Sequence, residues 1–106
     1  LDGGIIMVYY HFTPIDNLPS ILKSRTLVNK SNGVFVCDSF EDLCKFVTIY
    51  RNLNGYKLDD LAYISFETDM ELEESFDHDK EFFNGARAYY SLDDIEMENI
   101  CVSLFS

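Results

Sequence analysis

The sequence predicts an α+β domain. Short apolar and aromatic runs of strand length recur along the chain. Two segments instead repeat their apolar residues at helical spacing, and both lie in the first half, apart from the later strands. At 106 residues the chain is read as one domain, 1–106, long enough to bury a core without disulfide or metal staples. Nine Phe and seven Tyr with no Trp predict an aromatic-rich core.

Ile5 to Phe12 reads as a buried strand, rich in β-formers, which Thr13-Pro14 ends because proline donates no ladder bond. Asp16 or Asn17 then caps a helix carrying Leu18, Ile21 and Leu22 on one face, with Pro19 tolerated in its first turn and Lys23 and Arg25 suited to its end. Gly33 to Cys37 is a second strand. Ser39 opens the clearest helix: its side chain can cap, Glu41 and Asp42 favour the positive end, and Phe40, Leu43, Cys44, Val47 and Tyr50 repeat at helical spacing. Asn52 to Gly55 stops it. Leu61 to Phe66 alternates as a strand. Residues 69 to 79 read as an irregular acidic loop, anchored by Leu72 and Phe76. Asn84-Gly85 is a turn signal, Ala86 to Tyr90 a strand, Leu92 to Ile95 a helical turn with Ser91 as its cap, and Ile100 to Phe105 the last strand.

Composition excludes several classes. No apolar run approaches the roughly 20 residues of a membrane span, and no charged segment precedes Ile5–Tyr10 to make it a signal peptide. Cys37, Cys44 and Cys101 are odd in number and form no C-x-x-C, so they read as reduced thiols of a cytoplasmic protein rather than a disulfide framework or zinc site. The net charge of -11 is uneven: residues 1–58 carry five acidic and six basic side chains, residues 59–106 fourteen and two. Direct nucleic-acid binding, which needs a basic face, is disfavoured. The acidic half serves either solubility or a basic protein partner.

The residues with most chemical content are Tyr10-His11-Phe12-Thr13 and Gly33-Val34-Phe35-Val36-Cys37-Asp38-Ser39. A histidine at a strand end can hydrogen-bond a ribose or diphosphate; equally, a backbone carbonyl can satisfy it. Thr13 is either a strand end or a ligand contact. The first motif, followed by Ile15-Asp16-Asn17-Leu18-Pro19-Ser20-Ile21-Leu22, resembles the opening of ADP-ribosyltransferase folds, in particular the DNA-targeting toxin branch. The second resembles a segment of poly-ADP-ribose polymerase-like catalytic domains. The resemblance implies two small apposed antiparallel sheets forming a cleft, and an NAD site. His11 would contact the ribose. Phe35 and Phe46 stand where the family places two nicotinamide-stacking tyrosines, and stacking needs only a π-face. Phe12, Thr13 and Arg87 complete the expected cofactor contacts. Without the resemblance, Phe35 and Phe46 read as ordinary core aromatics.

The family's glutamate on the penultimate strand falls on Ala86, which supplies no charge to a transition state. Three readings follow. Glu81, Asp79 or Asp77 substitutes from the adjacent loop; the chemistry is that of the RNA 2′-phosphotransferase branch; or the domain only binds. Asp77-His78-Asp79 is too sparse for zinc, and Phe82 stands where a calcium loop needs glycine. No metal site is expected. Ser39 is explained by capping, since no G-x-S-x-G surrounds it. Arg87 serves as a salt-bridge partner or holds a diphosphate. Tyr89 and Tyr90 alternate, one ring inward and one outward.

Two functions therefore stand. One is an NAD-dependent transferase, a bacterial toxin or phage effector acting on a macromolecule, with His11 and Glu81 as catalytic residues. The other is a catalytically inactive acidic module docking on a basic, nucleic-acid-handling protein. An open aromatic slot beside His11 favours the first; a slot filled by Tyr90 or Phe83 favours the second.

Overall fold

Strand β1 (Met7–Pro14) pairs antiparallel with β4 (Leu61–Thr68), and β4 pairs on its other side with β8 (Glu98–Leu104), in the computed structural model, which describes residues 7–30, 33–76, 81–83 and 85–105. Central β4 is the most buried strand, because both of its faces are covered. Strand alternation gives the sheet two apolar faces. Tyr9, Ile64 and Phe66 pack on one side with Val34, Val36, Ile95 and Met97. Tyr10, Phe12 and Tyr63 pack on the other, with Leu43 and Val47 of helix α2 (Phe40–Asn54).

The second three-stranded sheet has the order β3 (Val34–Val36), β6 (Ala88–Ser91), β5 (Glu73–Ser75). A two-rung ladder joins β2 (Thr26–Leu27) to β7 (Ile95–Glu96). Helix α1 (Leu18–Ser24) follows a 3-10 turn at Ile15–Asn17. The architecture is thus α+β with two helices, as the sequence predicts, and its described strands form three small antiparallel sheets rather than two.

Local chemistry accounts for the long helix. The Ser39 hydroxyl accepts from the Asp42 N–H at 3.1 Å, Glu41 and Asp42 occupy the first turn, and Gly55 ends the helix at φ 73°. Helix α1 differs from expectation. Asn17 makes no side-chain cap bond, and only Leu18 and Ile21 reach the core while Leu22 is exposed. A helix of two turns presents too narrow a face to bury all three. Three strands lie where none was expected: β2 after helix α1, β5 inside the acidic loop, and β7 beginning at the last residue of the expected helical turn. Ser91 still organises that turn, accepting from the Asp93 N–H at 3.0 Å and donating to its carbonyl at 2.8 Å. No helix is long and apolar enough to cross a membrane among the described residues.

Candidate functional site

β1 and the β3 segment meet at a single rung. Tyr10 and Cys37 exchange both backbone bonds, at 2.8 and 2.9 Å. A continuing antiparallel ladder would next pair Phe12 with Phe35. Among the described residues that pairing is not made. The Phe35 carbonyl accepts instead from His11 Nδ1 at 2.8 Å. The imidazole therefore stands where the ladder would have closed, and the strands diverge. Alternation turns the backbone groups of Phe12 and Phe35 toward the opening.

Two clefts occupy the divergence. The more polar one, about 690 Å³, lies between the end of β1, helix α1 and the start of β3; His11, Thr13, Asn17, Ser20 and Lys30 line it among a majority of apolar surface that includes Phe12, Ile21 and Val34. The apolar one, about 390 Å³, lies between the Phe35–Ala88 face of β3 and β6 and the Leu43–Phe46–Tyr50 face of α2. Phe12, Phe35 and Tyr50 border both, so the two are adjacent. Each has the volume typical of small-molecule sites. Gly33 turns the chain into β3 at φ 97°, where a Cβ would stand 3.3 Å from the Ser91 carbonyl.

The aromatic walls are defined. Phe46 packs on Phe83 at 4.8 Å between ring centroids, and Phe12 meets Tyr50 edge-on at 5.1 Å. Phe35 stacks across the strands on Tyr90 at 6.0 Å. Phe83 lines the slot with its ring against Phe46, and Tyr90 is not in the lining.

The charge pattern inverts that of the chain. No Asp or Glu lines either cleft among the described residues, although the chain carries 19 of them. His11 is half-buried, and desolvation of its ring lowers its pKa from 6.5, against the opposing pull of the Phe35 carbonyl. At pH 7 the imidazole is neutral. A carbonyl only accepts, so Nδ1 carries the proton and Nε2 is an acceptor. Burial, with Asp42 and Asp38 adding to it, pushes the Cys37 thiol up to about 12, which leaves this slot residue a poor nucleophile.

The lowered His11 pKa predicts a pH effect. Between the folded value and 6.5 the unfolded chain binds the extra proton. The contribution to stability is complete above 6.5 and is lost as pH falls through the folded value. Urea unfolding at pH 7.5 and pH 5.5 should show a larger loss for wild type than for His11→Gln, whose amide can still donate to Phe35. Equal losses would refute the assignment.

Of the residues singled out by sequence, His11, Phe12, Thr13, Phe35 and Phe46 converge on these clefts. Thr13 is buried, and its hydroxyl accepts from Asn17 at 3.3 Å. Glu81 lies exposed in a turn and lines neither cleft. Ala86 is fully buried, its N–H bonded to the Phe83 carbonyl at 3.1 Å. Arg87 is exposed and also lines neither cleft; its N–H bonds to Asp42, and its charge acts on Tyr89, on the side of β6 away from the slot. Asp77, His78 and Asp79 lie outside the described residues. Sequence reasoning missed Asn17, Lys30 and Tyr50. Tyr50 carried a signal, since it stands four residues after Phe46 on the same helix face. Comparison with protein-family models, with curated proteins and with solved structures found no match.

Proposed function

We propose that this protein is an ADP-ribosyltransferase-like domain that binds NAD or a chemically related nucleotide in the split between β1 and β3. The carrying observation is the pair of adjacent clefts, the one on the His11 side carrying polar side chains among apolar ones and the one on the Phe35–Phe46 side aromatic. A dinucleotide has the same division: a hydroxyl- and phosphate-rich part and a flat ring. Neutral His11 accepts a bond from a ribose hydroxyl through Nε2. Phe35 and Phe46 sandwich the ring, and the backbone groups of Phe12 face its carboxamide. The separation of the β1–β4–β8 and β3–β6–β5 sheets beyond one rung supports the family's split-sheet fold.

The carboxylate-free walls favour a second reading, binding without transfer. No described side chain in either cleft supplies negative charge to an oxocarbenium-like transition state. The acidic residues of 59–106 then serve as a docking face for a basic protein.

Calorimetric titration with NAD tests the site, with nicotinamide release followed in the same samples. Saturable binding is expected, weakened about tenfold or more in His11→Ala, a loss of roughly 1.4 kcal/mol. Nicotinamide release dependent on His11 makes the protein a transferase or glycohydrolase. Binding without release supports the second reading. Absence of binding at millimolar NAD rejects the nucleotide site.

A further inference from the structure

Lys30 lines the polar cleft, and it is the one Lys or Arg among the described residues that line either cleft. Its surroundings sharpen this. A chain of net charge -11 repels anions over most of its surface, yet these walls hold no described carboxylate. The same cleft is lined by the uncharged polar side chains of Asn17, which precedes helix α1, and Ser20, within it.

The loop bearing Lys30 is also braced. Asn29, its neighbour, donates from its backbone N–H to Asp94 at 2.8 Å and from its side chain to the Leu92 carbonyl at 2.7 Å. Its side-chain oxygen accepts from the Gly33 N–H at 2.9 Å. The first two bonds tie Asn29 to the turn after β6, and the third ties Gly33 to Asn29. One Asp94 oxygen is thereby engaged by backbone, and Asp94 does not line the cleft. A lysine on a pinned loop loses less freedom when it meets an anion than one on a free loop.

We propose that the polar cleft is a phosphate subsite, that Lys30 is its neutralising residue, and that Asn29 positions it. The ligand class is a nucleoside diphosphate or an ester of one, with the phosphates between Lys30 and the Asn17–Ser20 wall. This rests on the nucleotide reading above and adds which part of the ligand provides selectivity.

The probes are adenosine, ADP and NAD, titrated at low and physiological salt against wild type, Lys30→Gln, Lys30→Arg and Asn29→Ala. ADP should bind wild type more tightly than adenosine, and the gap should narrow with salt. Lys30→Gln should weaken ADP and NAD about three- to tenfold and leave adenosine unchanged; Lys30→Arg should retain most of the affinity. Asn29→Ala should weaken ADP without removing the salt dependence. ADP binding no tighter than adenosine, or unaltered by Lys30→Gln, overturns the subsite. NAD binding that is intact in Lys30→Gln overturns the subsite and leaves the NAD reading standing. ADP binding that depends on Lys30, with no NAD binding, does the reverse. Lys30 lies on the surface, so its variants test charge without threatening the fold.

Discussion

Phe66→Ala should destabilise the protein by about 3–5 kcal/mol, a large share of the roughly 5–15 kcal/mol available to a domain of this size. Phe66 is the largest of the fully buried side chains and is 1% exposed. It lies on β4, the strand flanked on both sides, and stands opposite Tyr9 in the register with ring centroids 6.2 Å apart. The other members of its cluster come from β1, β2, β3, β7 and β4 itself, so no single element can relax into the void. Phe35→Ala is the internal comparison. The same residue type there is 41% exposed, and its removal should cost about 1 kcal/mol or less. Urea unfolding of both variants measures the difference. Similar midpoints would mean that the packing around Phe66 is not what holds β4.

That contrast also shows why parts of the fold were legible and others were not. Helix α2 announces itself in local chemistry: a serine whose hydroxyl caps it, acids in its first turn, five apolar residues at helical spacing and a glycine at its end. All of those signals act within the element. β7 and β2 are two residues long and exist through each other, with Ile95 opposite Leu27 across most of the chain. No window of sequence carries a pairing of that kind. β5 fails for a similar reason. Glu73 and Glu74 have poor β propensity, and the strand is held by β6, including the Tyr90 hydroxyl bonded to Glu73 at 3.1 Å.

The candidate site divides in the same way. His11, Phe35 and Phe46 sit on regular elements whose direction the pattern sets; His11 and Phe35 line one cleft, Phe35 and Phe46 its neighbour. The expectation for Glu81 and Arg87 rested on where a loop and a strand start would point. Arg87 stands one residue from Ala88, which lines the slot, and alternation turns it to the opposite face. A one-residue difference in register decides whether a charge enters the cleft. The bond from His11 to the Phe35 carbonyl was anticipated only as the bland alternative, yet it coincides with the point where the strands part. Satisfying the histidine and opening the cleft are one interaction.

Leu43→Ala should cost about 2–5 kcal/mol and, unlike Phe66→Ala, should weaken ligand binding in the slot. Leu43 is 1% exposed and packs with Val47, Leu61 and Cys37 on the α2 side of the β1–β4–β8 sheet, the face opposite Phe66. It also lines the apolar slot. Truncation enlarges the slot from within and, on the proposed nucleotide reading, removes contacts to the ring placed there. The stability loss should fall toward the lower end of the range, because the void opens onto the existing slot and need not stay empty. Leu43→Met, close in volume, should lose less than about 1.5 kcal/mol. Measuring NAD affinity for both alanine variants, under conditions where each remains folded, separates local from global effects. Weakening in Leu43→Ala alone places the ring in the slot. Equal weakening in both attributes the loss to general destabilisation, and unaltered affinity in Leu43→Ala moves the ring elsewhere.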